Sequence, residues 1–289
     1  MTEEIKMQHP MDKWLRQDRL PHIWCPGCGT GVAFSAVIAA MQESGIPQDD
    51  FAIVSGIGCS SRAAGYLNID SFHTTHGRAI PFATGLRLAK QNMKIFLFAG
   101  DGDLFSIGGN HFIHAARRNV DLTVICINNY IYGMTGGQFS PGTPTGAITS
   151  TSPYGNLDTP FNLPHLADAA GAVFVARWTA AHIVQLKQAI KKAFLTKGFS
   201  FVEVITPCPT VYGRRNKQPL GIQMMKTLKE TSIINHNARG HELDIELNKP
   251  IIIGNFIERE RETFLQKQQA FQKRMDEWFD VKEHQENED

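Results

Sequence analysis

The chain has 289 residues, 42% of them hydrophobic and 20% charged, which is apolar mass enough for one large α/β domain or two small ones. Its 29 Lys and Arg against 28 Asp and Glu leave a formal net charge of +1, so nothing in the overall charge attracts nucleic acid or an anionic membrane. No apolar run approaches the ~20 residues of a membrane helix, and the polar, mixed-charge residues 1–12 do not read as a signal peptide, so the cytoplasm is the expected compartment.

In chain order, hydrophobic patterning predicts helices over residues 31–44, 80–91, 106–119, 163–170 and 180–196. They alternate with strands over 52–57, 94–99, 122–128, 172–178 and 199–205. Glycine-bounded strands separated by single helices argue for an α/β fold, a doubly wound and mostly parallel sheet with helices on both faces. Residues 132–164 are rich in Gly, Pro, Ser and Thr and show no period. A loop that long in a compact domain is usually functional. After Cys208 the alternation is expected to stop, and a charged helix over 258–279 leads into an acidic tail. Residues 1–220 therefore read as the catalytic-type domain and 221–289 as a C-terminal extension. Within that last helix, Phe264, Phe271, Met275 and Trp278 read as a packing face.

Five cysteines are too few for a disulfide scaffold. Cys25 and Cys28 form Cys-Pro-Gly-Cys, Cys59 follows Gly56-Ile57-Gly58, and Cys208 stands between two prolines. These four lie in turn-like contexts where backbone can wrap a metal centre. Cys126 sits in an apolar strand pattern and reads as a small core residue. Four thiolates suit either zinc or an iron–sulfur cluster. One Cys-x-x-Cys turn joined by two lone cysteines from distant loops differs from the paired turns of structural zinc and favours a cluster.

The densest chemistry lies between residues 94 and 138. A strand runs into Gly100-Asp101-Gly102-Asp103, a helix follows, and a second strand ends in Asn128-Asn129. In a doubly wound sheet both strand ends reach the carboxyl edge, where ligands bind. Glycines there allow close approach to a phosphate, and a helix N-terminus supplies donors. Asp101 and Asn129 are hard oxygen donors suited to Mg²⁺ shared with phosphate. The competing reading of Gly-Asp-Gly is an ordinary strand-to-helix turn, but the Asn pair one crossover later makes coincidence a poor account. Gly56-Ile57-Gly58 half matches a dinucleotide fingerprint but lacks its third glycine and its acidic residue. His76-Gly77-Arg78 opens a helix, where the His either meets a cofactor or simply bonds backbone.

Trp24-Cys25-Pro26-Gly27-Cys28-Gly29, Gly56-Ile57-Gly58-Cys59-Ser60-Ser61-Arg62, Thr75-His76-Gly77-Arg78-Ala79, the Gly-Asp-Gly-Asp run and Asn128 to Gln138 together resemble the β subunit of 2-oxoacid:ferredoxin oxidoreductases. Within that family the Ile-Gly-Cys-Ser-Ser-Arg run is most similar to the 2-oxoglutarate branch, with a pyruvate or broad-specificity member as the alternative. The resemblance spans about residues 14–220 and implies a thiamine diphosphate-binding fold. By resemblance, Asp101, Asn129 and the Ile131 carbonyl hold Mg²⁺, while Gly102, Asp103, Gly133 and Met134 line the diphosphate. Ile57, Gly58, Cys59 and Ser60 border the cofactor, and His76 stands near its reactive end as the catalytic residue. Cys25, Cys28, Cys59 and Cys208 hold one 4Fe-4S cluster. The implied reaction converts 2-oxoglutarate and coenzyme A to succinyl-CoA and CO₂ and reduces ferredoxin, or runs in reverse. A separate α subunit carrying the pyrimidine-type domain is implied, in an αβ or (αβ)₂ assembly. Two rivals remain, a non-redox thiamine enzyme, which does not need the loop cysteines, and a zinc-stabilised regulatory subunit, which leaves Asp101 and Asn129 unexplained.

Overall fold

A computed structural model describes residues 9–286, with side chains to residue 278. Its strands are β1 (Phe51–Ser55), β2 (Asp70–His73), β3 (Lys94–Gly100), β4 (Thr123–Asn128), β5 (Phe174–Thr179), β6 (Ser200–Ile205), β7 (Ser232–Ile234) and β8 (Ile251–Glu258). They form one sheet in the order β2-β1-β3-β4-β6-β5-β8-β7. Every pairing is parallel except β5 with β8. The helices are α1 (Thr30–Ser44), α2 (Ala79–Ala89), α3 (Gly109–Arg118), α4 (Leu163–Ala169), α5 (Ile183–Leu195), α6 (Gly221–Thr231) and α7 (Phe264–Glu286).

The central strands are buried on both faces because each must satisfy two apolar layers. Side chains alternate between them with the two-residue period of a strand. Ile53, Phe96, Phe98, Ile125 and Val202 pack toward α1 and α5. Ala52, Val54, Ile95, Leu97, Val124 and Phe201 pack toward α2, α3 and α4. On the second face Phe112 of α3 is fully buried, with ring centroids 4.4 Å from Phe105, 5.2 Å from Phe199 and 5.3 Å from Phe201.

One charged pair is buried inside the sheet. Arg177 of β5 and Glu203 of β6 are register partners, 2.6 Å apart and fully shielded from solvent. Isolated charges there would be very costly, so both are tied further. Glu203 also accepts from the Asn128 amide at 2.8 Å, and Arg177 donates to the Leu243 carbonyl at 2.8 Å. The pair thus links the end of β4 to the C-terminal segment.

The five expected strands and five expected helices all form, with ends displaced by up to three residues. Three further strands and α6 were not expected. The alternation expected to stop after Cys208 continues through α6, β7 and β8, and β8 enters the main sheet. The charged helix expected over 258–279 starts instead at Phe264. Glu258 ends β8, and the turn between is pinned by the Asn119 amide, which donates to the carbonyls of Arg261 and Glu262 at 3.0 and 3.1 Å. The acidic end of the chain past residue 286 and most of the polar N-terminal stretch lie outside the described residues. Among the described residues no helix is long and apolar enough to cross a membrane.

Phe112→Ala is expected to destabilise the chain by about 3–5 kcal/mol, since it empties a closed aromatic cluster. A lowered guanidinium midpoint with an unchanged slope checks this.

Candidate active site

The strand order reverses between β1 and β3: the chain leaves β1 toward β2 on one side and returns to β3 on the other. A crevice opens outside the carboxyl ends of the strands at such a reversal. A cavity of about 240 Å³ lies there. Ile57, Gly58, Cys59 and Ser60 enter from the loop after β1, and His76 from the turn before α2. Asp101, Gly102 and Asp103 enter after β3, and Asn129, Ile131, Gly133 and Met134 after β4. The structure thus brings into one cavity every residue expected at the thiamine and Mg²⁺ positions.

The Gly-Asp-Gly-Asp run leaves β3 and winds into a π-helical turn over Gly102–Ile107 before α3 begins. This turn directs its two carboxylates differently. Asp101 is buried, with Oδ2 accepting from Ser140 Oγ at 2.5 Å and from the Gly142 N–H at 3.1 Å. Burial pushes its carboxyl up to about 6, against the pull of those hydrogen bonds. A carboxylate so disfavoured by burial suits a cation that would compensate its charge.

Asp103 turns toward the neighbouring loops. Its Oδ1 accepts from the Ile57 N–H at 3.1 Å, the Gly77 N–H at 2.9 Å and His76 Nδ1 at 2.6 Å. Its Oδ2 is buried without a partner. Gly56 passes so close that a Cβ there would lie 2.1 Å from Asp103 Oδ2, so only glycine fits. With Nδ1 engaged, His76 keeps Nε2 for the cavity, and its side chain stays 36% exposed.

The two asparagines also divide their work. Asn128 is fully buried; its amide serves Glu203, and its Oδ1 accepts from the Tyr130 N–H at 3.2 Å. Asn129 lines the cavity, and its Oδ1 accepts from the Ile131 N–H at 3.3 Å. Directly after the two asparagines the backbone turns through Tyr130 at φ +66°, a left-handed conformation.

Tyr132 is a lining residue that sequence reasoning missed. Its hydroxyl donates to the Gly102 carbonyl at 3.1 Å. Its ring lies over Gly102 so closely that a Cβ there would stand 2.2 Å away. Burial raises its phenol above the ordinary range. The signal was present as an aromatic within the Asn-Asn run, but its target lies 30 residues earlier in the chain.

The cysteines meet beside this cavity. Cys59 lines it, and a Cβ on Gly133 would stand 3.6 Å from Cys59 Sγ and 3.9 Å from Cys208 Sγ. The Cys25–Cys28 turn reaches the same place because the Gly29 N–H donates to the Pro207 carbonyl at 3.0 Å. Trp24 Nε1 holds the Cys59 carbonyl at 2.7 Å. Burial pushes the Cys59 thiol up to about 11, and Cys208, Cys28 and Cys25 add to the rise. Cys208 is raised by burial as well, with Cys28 and Cys25 contributing. Cys59 and Cys208 therefore feel the other cysteines, and a cationic centre would relieve the cost of ionising these two thiols. Among the described residues, no three Cys, His, Asp or Glu stand at the spacing of a single ion. Cys126 packs in the opposite apolar layer, buried within β4.

Residues 56–204 match the family "Thiamine pyrophosphate enzyme, C-terminal TPP binding domain". A 2-oxoglutarate synthase subunit KorB from Methanocaldococcus jannaschii is 53% identical over 258 residues, covering 89% of this chain and 95% of that one. The KorB subunit of Archaeoglobus fulgidus is 47% identical over 254 residues, 88% of this chain and 91% of the relative. Among solved structures, the 2-oxoglutarate:ferredoxin oxidoreductase from Magnetococcus marinus, determined with 2-oxoglutarate, coenzyme A and succinyl-CoA bound, superposes with a TM-score of 0.82 at 31% identity. It covers 94% of this chain and 92% of that one. With a thiamine pyrophosphate domain over half its length and relatives of this identity along most of the rest, the chain belongs to the KorB family, the β subunits of the thiamine-dependent 2-oxoglutarate synthases.

Proposed function

We propose that this β subunit, joined to an α subunit, carries out the coenzyme A-dependent oxidative decarboxylation of 2-oxoglutarate to succinyl-CoA and CO₂, or its reversal, passing electrons through a 4Fe-4S cluster to ferredoxin in the cytoplasm. The observation that carries this reading is the shared wall at Gly133, where the cofactor cavity meets the sulfurs of Cys59 and Cys208. A thiamine enzyme without electron transfer has no use for thiols there. One Cys-Pro-Gly-Cys turn joined by Cys59 and Cys208 from distant loops suits a cluster, whose irons take their thiolates at separate corners, better than the paired turns of structural zinc.

Asp101, Asn129 and the Ile131 carbonyl would hold Mg²⁺, and Gly102, Asp103, Gly133 and Met134 would flank the diphosphate. Cys25, Cys28, Cys59 and Cys208 would hold the cluster. Bound in these positions, thiamine diphosphate supplies the electron sink for decarboxylation and the cluster supplies a one-electron exit. The chain's own part is positional and protonic. Asp103 fixes the His76 ring through Nδ1, so Nε2 can hold or deliver a proton at the cavity. Ile57, Ile131 and Met134 give the cavity its apolar walls, which limit water and strengthen the local electrostatics.

The described residues form a single sheet and contain no second unit for the aminopyrimidine half of a thiamine site. The α subunit would supply it, in an αβ or (αβ)₂ assembly. Tyr154 and Leu157, on the long loop, are almost wholly exposed, and Phe161 is half exposed. Large apolar side chains grouped on one loop mark a protein contact, and this loop packs on Asp101 through Ser140.

Iron, acid-labile sulfide and zinc on the anaerobically purified αβ complex test the cluster. About four irons and four sulfides per β chain are expected; zinc without sulfide would leave a zinc-stabilised thiamine protein. Cys208→Ala should lose the iron and Cys126→Ala should retain it, and equal loss in both variants would break the ligand assignment. Gly56→Ala should displace Asp103, release His76 and weaken thiamine diphosphate binding at least tenfold. Fluorescence titration of the cofactor into the variant complex measures that loss.

A further inference from the structure

We propose that the surface formed by Arg16, Arg19 and Arg62 around His73 is the docking face for an acidic one-electron carrier protein. The proposal rests on the reading of the Cys set as a redox centre and adds where on the chain the electrons leave.

The chain is near neutral as a whole, yet positive charge gathers here. Gly65 lies beside both Arg19 and His73, since a Cβ on it would stand 3.8 Å from Arg19 Nη1 and 3.8 Å from His73 Nε2. Arg62, Arg19 and Arg16 all bear on the His73 imidazole, which burial first and then these three cations hold below its ordinary range. Among the described residues, none of the three arginines has a carboxylate within 4 Å. Arg16 uses one nitrogen on the Ile69 carbonyl and Ser71 Oγ, and Arg19 one on the Gly65 carbonyl. The guanidinium groups are thereby aimed while retaining donors for carboxylates on a partner.

Two exposed apolar side chains, Leu20 and Ile23, lie on the segment between these arginines and the cysteine turn. An apolar patch beside exposed charge is the composition of a small, transient interface. The face is also continuous with the sulfurs. The Arg16 N–H donates to the Tyr66 carbonyl at 2.8 Å, the Tyr66 ring lies 5.4 Å from Trp24, and Trp24 holds Cys59. Cys25 is exposed just beyond. A carrier seated on the arginines would be joined to the Cys set through Tyr66 and Trp24.

The test uses the anaerobic αβ complex with two acceptors, an acidic ferredoxin and methyl viologen, at low and high salt. Arg19→Glu is expected to raise the ferredoxin KM about tenfold at low salt, with the difference shrinking as salt rises. The methyl viologen rate should stay at the wild-type level, and Arg19→Lys should restore most of the ferredoxin KM. An unchanged ferredoxin KM in Arg19→Glu would overturn the proposal. So would an equal loss with both acceptors accompanied by release of the α subunit on size exclusion, which would give this face to the α subunit. A wild-type complex that reduces neither acceptor would instead remove the redox reading on which the proposal rests.

Discussion

The site depends on one buried carboxylate. Asp103 brings together the loop after β1, the turn before α2 and its own turn after β3, all through a single oxygen. Burying a carboxylate without donors is costly, so the three loops are held wherever they can supply those donors. The strands place the loops near one another, and the carboxylate sets their final spacing. The close pass of Gly56 against Asp103 shows how little slack remains. His76 inherits its orientation from the same contact, which makes a proton-carrying group an extension of the scaffold.

A second buried charge acts on the other side of the cavity. The Arg177–Glu203 pair lies inside the sheet, and its reach to Asn128 supports the backbone turn that presents Asn129. Glu203 also adds negative potential at Asp101, reinforcing the rise that burial imposes. Carboxylates crowded on one edge of a neutral chain are unfavourable by themselves and favourable once a cation arrives. The same reasoning applies to Cys59 and Cys208, which burial makes costly to ionise and the neighbouring cysteines make costlier still.

Much of this was legible in the sequence, for identifiable reasons. Buried parallel strands need continuous β-branched and aromatic runs, so β1, β3, β4, β5 and β6 showed as such. Gly-Asp-Gly and Asn-Asn sit at strand ends, where the fold forms its crevice, so motif and architecture pointed to one place. The strand β2 escaped because it is a short, mostly exposed edge, Asp70–His73, without an apolar pattern. The strand β8 escaped although Ile251–Glu258 is apolar enough, because it breaks the parallel alternation and pairs with a strand laid down some 75 residues earlier. Tyr132 against Gly102, and Asp103 against Ile57, are approaches between distant segments. No local pattern encodes them. The resemblance implied Asp103 as a diphosphate-lining residue; its carboxylate also serves the protein's own loops.

The placement of β8 bears on the order in which the chain can assemble. During synthesis β5 has β6 on one side, but its other edge stays open until residues 251–258 emerge. An unpaired apolar strand edge invites pairing with other chains, and contacts between distant segments form slowly. The nascent subunit therefore holds a sticky margin through the last part of translation, and Arg177 lacks its Leu243 anchor for nearly as long. Closure of that margin makes a late strand, β8, the one that seals a strand edge formed by β5 well before it.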